Sequence, residues 1–353
     1  MNILFITVRS DYGGGPRHID QLINLLPPSY TIYIACPQKG EPYSIKWGDN
    51  NRIKKIMYIP YRKFSCKVLF ELRKFVLDNE IGIIHSHGNG AGIYSRLLKI
   101  IYPKIKVIHT FHGISDNYSS KMKFFISYII GQLLAPFANK YIAVSNGEKN
   151  MAIKRKFSNK TNTVVIYNGI EDTNAFSKTE MQSPIRIVSI SRFDYQKNMD
   201  SFFRIATAVK KIPIQFIWVG DGEDKNRLES LSVQNNINIK FIGFSKTPMK
   251  YLKESDWYMS TSRFEGLPYA LIEAASVGLP IIASDVKGNN EVAINGYNGY
   301  LFKSEEEAIN IIKNIVNGSF NYKKLSENSI TLFKEHFSDA RMISKLIKLY
   351  QYI

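Results

Sequence analysis

The sequence predicts an α/β protein with two doubly wound parallel sheets, one in each half of the chain. Short apolar runs recur along the chain, and each is followed by a polar or glycine-containing turn and then by a segment with helical apolar spacing. The runs are continuously apolar, which is typical of parallel strands covered by helices on both faces. With 353 residues, 44% of them hydrophobic, the chain exceeds one typical domain, so we expect two domains.

Six apolar runs in the first half predict the strands of the first sheet. They are Ile3–Val8, Tyr30–Ala35, Gly82–His85, Lys106–Thr110, Lys140–Val144 and Thr163–Ile166. The turns that follow several of them carry Gly13–Gly15, His87, His112 and Ser145. Because ligands of doubly wound sheets bind beyond the carboxyl ends of the strands, these residues are candidates for a binding site.

A polar stretch that runs to about Ser183 predicts a linker, and a second series of strands follows it. Its apolar runs are Ile185–Ser189, Gln215–Val219, Ile239–Ile242, Trp257–Ser260 and Pro280–Ala283. Spaced apolar residues from about Phe337 onwards predict a closing helix.

The charge of the chain is strongly asymmetric. The formal net charge is +17. Residues 1–170 hold 24 Lys and Arg against 9 Asp and Glu, or +15, and the remaining 23 and 21 leave +2. Such a basic half indicates either a solvated lysine-rich face or attraction to an anionic membrane or to nucleic acid. The sequence has no nucleic-acid-binding motif, so we expect no nucleic-acid partner.

The sequence carries no pattern for secretion or for a membrane span. The start MNILFITV lacks a basic n-region and runs directly into polar residues. Phe124–Phe137 is shorter than a span and contains polar residues, so we expect a buried or interfacial helix there. Two isolated cysteines, Cys36 and Cys66, predict no disulfide framework and suit a reducing cytosol.

The stretch Arg263–Ala274 (RFEGLPYALIEA) holds two acids, Glu265 and Glu273, in an apolar segment. Pro268 suits the first position of a helix, which puts Glu265 in the preceding loop and Glu273 in the second turn. The Gly266-Leu267-Pro268 turn presents backbone N–H groups at a helix N-terminus, which favours an anionic ligand. The two carboxylates can accept hydrogen bonds from sugar or ribose hydroxyls, and the alternative is a capping carboxylate with a paired core acid.

Arg192 and Lys197 lie in SRFDYQKN, between a predicted strand and a helix that begins near Met199. Two cations in one βα loop can clamp a diphosphate, and ordinary solvated charge is the alternative. DYGGGPRH predicts a glycine turn before a helix with apolar spacing over Ile19–Leu26, and its three glycines allow the backbone to approach a ligand closely. That stretch is not G-x-G-x-x-G, so it does not predict a dinucleotide site. The DGED stretch at Asp221–Asp224 is interpreted as a βα turn with acids at a helix N-terminus.

Five of the six histidines lie in the first half: His18, His85, His87, His109 and His112. None belongs to an H-E-x-x-H motif or accompanies a cysteine, so we expect no zinc site. His112 could donate a hydrogen bond to a sugar hydroxyl or to developing charge. We interpret His85 as a core histidine, whereas His87 is compatible with either role.

Together these motifs resemble the retaining glycosyltransferase family 4, whose GT-B fold has two Rossmann-like domains facing a central cleft. The resemblance covers essentially the whole chain and is strongest in the second half. Glu265 and Glu273 match the family's E-x7-E signature, and Arg192 and Lys197 match its R…K pair. Further matching stretches are VGDGEDKNRLE, IKFIGF and NGYNGYLF in the second half and GGGPRH, HSHG, HTFHG, AVSNGEKN and YNGIED in the first.

The resemblance implies domain boundaries and a role for each site residue. An acceptor-side domain would span residues 1–170, joined by the C-terminal helix at about 337–353, and a donor domain would span 171–336. Arg192 and Lys197 would neutralise the diphosphate leaving group. Glu273 would bind the ribose, Glu265 would hold the donor sugar and His112 would lie beside the reacting carbon. The full set assigned to the nucleotide-sugar is Gly14, Gly15, Arg192, Lys197, Phe244, Glu265, Gly266, Leu267, Pro268 and Glu273.

No divalent metal or other cofactor is implied, because two cations and helix N-termini already supply positive charge at the diphosphate. One loop departs from the family: Lys287–Glu291 (KGNNE) stands where the family often has G-G-x-P-E. It lacks the proline, so neither the family's loop geometry nor a role for Glu291 is carried over. Arg62–Phe75 and Lys121–Phe137 are both basic and apolar, which suits a surface on anionic lipid. Core-facing helices are the alternative.

We therefore predict a cytoplasmic enzyme, peripheral on the inner face of the plasma membrane. It would move a hexosyl or N-acetylhexosaminyl group from a nucleotide-sugar, by default a UDP-sugar, to a glycan acceptor that is lipid-linked, in O-antigen or capsule-type polysaccharide biosynthesis. The alternatives are a GT-B sugar-nucleotide epimerase, a non-catalytic partner subunit, or a basic nucleic-acid- or membrane-binding protein without catalysis.

Overall fold

The computed structural model describes residues 1–38, 42–114 and 121–353, with the side chains of Lys121 and Lys123 outside the description. The chain divides into two compact units. The first comprises Met1–Asn168 and Ala340–Ile353, and the second comprises Gly169–Asp339. Residues 171–184, where the polar linker is predicted, contain no helix or strand.

The first unit is built on a parallel sheet. Its strands are β1 (Asn2–Thr7), β2 (Thr31–Cys36), β3 (Ile53–Tyr58), β4 (Ile83–His87), β5 (Lys106–Thr110), β6 (Lys140–Ala143) and β7 (Thr163–Val165). They lie in the order β3-β2-β1-β4-β5-β6-β7, and all neighbours are parallel. The strand order reverses between β1 and β4, which is where ligands of doubly wound sheets bind.

Helices cover both faces of this sheet. They are α1 (Gly14–Leu25), α2 (Tyr43–Gly48), α3 (Cys66–Asp78), α4 (Asn89–Ile101), α5 (Lys121–Leu133), α6 (Asn146–Lys154) and, from the end of the chain, α13 (Asp339–Gln351). Side chains of β1 alternate between two apolar clusters: Leu4 and Ile6 belong to one, and Ile3 and Phe5 belong to the other. This alternation buries both faces of the strand, as the continuous apolar run predicts.

The closing helix α13 is an integral part of the first unit, and its presence confirms the prediction of a helix there. Met342, Leu346 and Tyr350 are buried in the same cluster as Ile3 and Phe5. The Tyr350 hydroxyl lies 2.6 Å from His85 Nδ1 on β4. The first unit therefore needs residues from both ends of the chain to complete its core.

The second unit is a six-stranded parallel sheet with its own helices. The strands are β8 (Ile185–Ile190), β9 (Ile214–Val219), β10 (Ile239–Gly243), β11 (Trp257–Ser260), β12 (Ile281–Ser284) and β13 (Gly299–Phe302), and the helices are α7 (Met199–Ala208), α8 (Lys225–Gln234), α9 (Pro248–Lys253), α10 (Tyr269–Ser276), α11 (Glu305–Val316) and α12 (Tyr322–His336). The strand order is β10-β9-β8-β11-β12-β13, so it reverses between β8 and β11. Two Rossmann-like parallel sheets confirm the predicted α/β fold class. None of the helices in the described ranges is long and apolar enough to cross a bilayer.

Candidate functional site

The two acids of RFEGLPYALIEA follow β11, at the point where the order of the second sheet reverses. Glu265 lies in the loop, and Glu273 is the fifth residue of α10, in its second turn as predicted. Pro268 is the N-cap of α10, with φ −75° and ψ 123°, and the helix therefore begins one residue later than expected, at Tyr269. Both acids are only 6% exposed, so their carboxylates need polar partners.

Glu265 has a partner on each carboxylate oxygen. Lys197 Nζ lies 2.5 Å from Oε1, and the Gln196 side-chain amide donates to Oε2 at 3.2 Å. The same amide donates to the Phe264 carbonyl at 3.0 Å, which ties the loop after β8 to the loop after β11. Glu265 is thus a paired acid, the arrangement that the sequence left open as an alternative. An ammonium group has three donors, so Lys197 can bind Glu265 and an anion together.

Arg192, the other predicted cation, has a side chain that is 53% exposed and is oriented by Asp194. Its Nη2 lies 3.0 Å from Asp194 Oδ2 and 3.4 Å from Gln196 Oε1. Asp194 Oδ1 also accepts from the backbone N–H of Lys197 at 3.1 Å. Asp194 therefore organises the loop that carries both cations. No sequence pattern singles out Asp194, because a lone acid between two cations is usually a solvated charge.

A pocket lined largely by hydroxyl groups adjoins Lys197. Its lining residues are Ser189, Ser191, Lys197, Tyr258, Ser260, Thr261, Ser262, Pro268, Ala270 and Leu271. The Tyr258 hydroxyl donates to the Ile190 carbonyl at 3.1 Å. Burial raises the pKa of Tyr258, and the negative charges of Glu265 and Glu273 raise it further, so the phenol stays protonated. The pocket thus offers neutral donors beside one cation, which suits hydroxyl and phosphate oxygens.

The atypical loop Lys287–Glu291 packs directly on the loop that carries Glu265. Gly288 has φ 88°, and a Cβ atom there would lie 2.5 Å from the Gly266 carbonyl oxygen and 3.1 Å from Glu265 Cβ. The next three residues form a 3₁₀ turn, and the Asn289 side-chain amide donates to the Ser284 carbonyl at 3.2 Å. A glycine is therefore required at 288 by both the positive φ and the close approach.

The remaining donor-side predictions are placed as follows. Phe244 follows β10 and its ring is about half exposed, so it can stack on a planar group. Leu267 is buried, so only its backbone is positioned to contact a ligand. The DGED stretch is a βα turn, as interpreted: Asp224 is the N-cap of α8, and its carboxylate accepts from Arg227 at 2.9 Å.

In the first unit, the glycines after β1 belong to a helix. The helical spacing from Ile19 onwards predicts a later start, but α1 begins at Gly14, so Gly14 and Gly15 form its first turn. The predicted later start is wrong. Glycine and proline are typical of turns, although proline is tolerated in the first turn of a helix. A Cβ atom on Gly15 would lie 3.6 Å from His112 Cδ2, so Gly15 and His112 are adjacent. The free amides of a first turn suit an anion.

Three histidines cluster beside that turn. His18 on α1, His87 at the end of β4 and His112 after β5 have ring centroids 5.2–5.4 Å apart. His87 Nδ1 and His112 Nε2 lie 3.0 Å apart and share one hydrogen bond. Burial lowers the pKa of His18 to about 4 and holds the pKa values of His87 and His112 well below 6.5, with the neighbouring histidines adding to the effect. All three rings are therefore neutral at physiological pH.

His85 is a core histidine, as the sequence predicts. It is completely buried, with Nδ1 2.6 Å from the Tyr350 hydroxyl and Nε2 2.7 Å from Thr110 Oγ1. Both ring nitrogens are therefore engaged within the core.

Glu148 supports the backbone after His112. It is completely buried, and its Oε1 accepts from the backbone N–H groups of Gly113 at 2.6 Å and Ile114 at 3.1 Å. Its Oε2 accepts from the Val144 N–H at 2.9 Å. Ser145 is the N-cap of α6, and its Oγ accepts from the Glu148 N–H at 3.1 Å. No sequence pattern indicates that the Glu148 carboxylate reaches the loop after β5.

Two family models match the chain. One, described as Glycosyltransferase Family 4, matches residues 12–174, and the other, described as Glycosyl transferases group 1, matches residues 171–331. Among similar proteins, the O-antigen biosynthesis glycosyltransferase WbnH of Escherichia coli is 26% identical over 313 residues, covering 87% of this chain and 88% of that protein. The Escherichia coli UDP-Gal:alpha-D-GlcNAc-diphosphoundecaprenol alpha-1,3-galactosyltransferase is 26% identical over 359 residues, covering 94% and 91%.

The fold also matches solved structures. Anabaena Alr3699/HepE, solved in complex with UDP, superposes with a TM-score of 0.82 over 100% of both chains at 17% identity. At that identity the likeness shows the fold, which is the GT-B fold. Because the two family models together span residues 12–331, the chain belongs to the glycosyltransferases, with a family 4 domain in its first half and a group 1 domain in its second.

Proposed function

We propose that the protein is a retaining glycosyltransferase that moves a sugar from a UDP-sugar to a lipid-linked glycan during assembly of a cell-surface polysaccharide of the O-antigen or capsule type. The main support is the buried contact of Lys197 and Gln196 with Glu265. It lies at the sheet reversal point of the second unit, where doubly wound sheets bind ligands. Glu273 lies in the helix that follows.

The chemistry of the transfer assigns a role to each of these groups. The bond between the anomeric carbon and the diphosphate oxygen breaks, and negative charge develops on the leaving diphosphate. Lys197 and Arg192 stabilise that charge, which is the largest single contribution available to a site of this kind. The acceptor oxygen bonds to the anomeric carbon on the face that the diphosphate leaves, and the acceptor proton passes to the departing phosphate oxygen. The anomeric configuration is therefore retained.

The carboxylates divide the recognition of the donor. Glu265, held in the loop by Lys197 and Gln196, accepts hydrogen bonds from hydroxyls of the transferred sugar. Glu273 accepts from the ribose hydroxyls, and Phe244 offers an aromatic face to the base. In the first unit, His112 donates to the transferred sugar, and Glu148 fixes the backbone beside it. Uridine is favoured because a similar enzyme is named for UDP-Gal and a fold neighbour was solved with UDP.

The donor site needs no divalent metal in this proposal. Two cations and the amides of a helix N-terminus supply positive charge to the diphosphate, which is the task that a metal performs in other nucleotide-sugar sites. Activity is therefore expected to be unchanged by EDTA. Strict dependence on an added divalent ion would contradict this assignment of Arg192 and Lys197.

The first unit is proposed to bind the acceptor at the inner face of the plasma membrane. Exposed apolar residues on α5 include Met122, Phe125, Ile126 and Leu133. On α3 and the segment before it, exposed Phe64 and Phe70 lie among basic residues such as Arg73 and Lys74. Apolar and basic groups on one surface suit anionic lipid. The predicted stretch Lys121–Phe137 also contains Lys121 and Lys123, whose side chains lie outside the described residues.

The proposal is tested with the full chain and a panel of nucleotide-sugars. One UDP-sugar should be consumed, with UDP release stimulated by a lipid-linked glycan acceptor and with the product keeping the anomeric configuration of the donor by NMR. Arg192→Ala should lower the rate by at least about 100-fold without loss of folding. Conversion of the donor into an epimeric nucleotide-sugar would establish the epimerase instead. Inversion at the anomeric carbon would overturn the retaining mechanism.

A further inference from the structure

We propose that His18, His87 and His112 form a binding site for one divalent transition-metal ion such as Zn²⁺ or Co²⁺. An ion bound there inhibits sugar transfer by occupying His112. The site belongs to the first unit alone. The inhibition rests on the proposed function, because it requires His112 to contact the sugar, whereas binding of the ion does not.

The three imidazoles have the separation that a single ion needs. Each offers one ring nitrogen, and the three nitrogens lie within 4.8 Å of one another. A tetrahedral ion about 2.1 Å from each nitrogen holds its ligands about 3.4 Å apart. Small rotations of the rings are therefore enough to reach coordination distance. The fourth position of such an ion remains open, as in metal sites with three protein ligands and a water.

Two of the ring nitrogens lack partners. His18 Nδ1 and His87 Nε2 are buried and have no hydrogen-bond partner among the described residues. These two nitrogens can therefore bind a ligand without losing a hydrogen bond within the protein. A neutral imidazole is the preferred nitrogen ligand of zinc and its neighbours in the periodic table.

The three histidines come from three separate parts of the fold. No local sequence motif therefore identifies them as ligands. His18 lies in the second turn of α1, His87 ends β4, and His112 follows β5. The backbone after His112 is anchored by the buried carboxylate of Glu148. Sites built on such fixed elements keep their geometry without the ion. The sequence lacks H-E-x-x-H and cysteine partners, so it predicts no zinc site even though the fold brings three histidines together.

Cobalt titration tests the binding directly. The full chain carrying Cys66→Ser, which removes an exposed thiol that could itself bind metal, is cleared of metal with EDTA and then titrated with Co²⁺. We expect the visible absorption of tetrahedral cobalt to saturate at one ion per chain and to be abolished by Zn²⁺. His18→Gln should weaken the affinity for cobalt by at least about 100-fold, which is more than the loss of a residue that only orients a metal ligand usually causes. His336→Gln, which alters an exposed histidine in the second unit, should leave it unchanged.

A second measurement does not depend on how the variants fold. Zn²⁺ should raise the unfolding temperature of the Cys66→Ser protein, because an ion that binds only the folded state stabilises it. The site is overturned if this protein binds cobalt without saturation at one ion per chain, or if His18→Gln and His336→Gln bind it equally well.

The inhibition is measured in the nucleotide-release assay. Zn²⁺ should inhibit transfer over the range in which it displaces cobalt, EDTA should restore the rate, and His18→Gln should raise the inhibitory concentration at least about tenfold. Stoichiometric binding without inhibition would refute the second half of the proposal alone. If no nucleotide-sugar is a donor, the proposed function fails, and the cobalt titration still decides whether the site exists.

Discussion

Replacing Lys197 by alanine is expected to separate two roles of that residue, one in stability and one in catalysis. The Lys197 and Glu265 side chains are 18% and 7% exposed, so their ion pair is largely removed from water. Removing one partner of such a pair costs about 3–5 kcal/mol, because the other charge is left buried. Gln196 still donates to Glu265 Oε2, so we expect about 3 kcal/mol, at the low end of that range.

The catalytic effect of Lys197→Ala is expected to be separate from this loss. If Lys197 also stabilises the leaving diphosphate, kcat/KM should fall by at least about 100-fold, the effect of removing one preorganised donor to a developing negative charge. The double variant Lys197→Ala with Glu265→Gln leaves no uncompensated buried charge. Its free energy of unfolding should therefore recover most of the loss, while its activity should remain at or below that of the single variant.

The assays are urea unfolding followed by circular dichroism and nucleotide release from the donor. Arg204→Ala is the matched control, because it breaks an exposed ion pair with Glu305 in the same unit. It should cost less than about 1 kcal/mol and leave kcat/KM unchanged. Recovery of activity together with stability in the double variant would show that Lys197 is only a counter-ion for Glu265, and the diphosphate role would be wrong.

Three further outcomes are expected. Burial holds the pKa of His85 well below 6.5 and also lowers the pKa values of His18, His87, His109 and His112, so the unfolded chain takes up protons that the folded state excludes. The free energy of unfolding should fall as the pH drops below about 6.5, and His85→Asn should make that fall less steep in urea titrations at several pH values. Gly288→Ala should raise the donor KM, because the added Cβ would lie 2.5 Å from the Gly266 carbonyl oxygen in the neighbouring loop. The control Gly296→Ala, at φ 74° with open space around it, should cost about 1–2 kcal/mol of stability and leave KM unchanged. Equal KM values for the two variants would contradict the loop contact. Phe125→Ser should weaken cosedimentation with anionic vesicles about tenfold or more. The control Phe176→Ser alters a side chain that is 90% exposed in the second unit, and it should leave cosedimentation unchanged. Equal effects of the two variants would exclude α5 from the membrane surface.

The fold could be predicted where hydrophobic runs were continuous. The bounds of β5 and β11 agree with the sequence to the residue, because short apolar runs end at clear turn residues. Strand β3 was not predicted, since Lys54 and Lys55 interrupt its apolar pattern and both are exposed on an edge strand. The start of α1 was misplaced because the local preference of glycine and proline for turns was overridden by tertiary packing.

The positions of the site residues could be predicted, but their pairings could not. A strand followed by a turn places Lys197 and Glu265 at one sheet edge, yet the contact between them joins residues 68 positions apart. The contact between His87 and His112 and the support from Glu148 likewise depend on which strands are neighbours and on how side chains pack. Periodicity does not specify that geometry. No role for His18 could be predicted, because it belongs to no recognised metal-binding motif.

The place of α13 in the first unit has a consequence for the order in which the protein is made. Residues 169–339 are contiguous, so the second unit has all of its sheet as soon as they have left the ribosome. The first unit is synthesised earlier, yet Met342, Leu346 and Tyr350 reach its core only when α13 emerges. Until then His85 lacks its tyrosine partner, and apolar surface of the first sheet stays uncovered. The half of the protein that is translated first is therefore the half that is finished last.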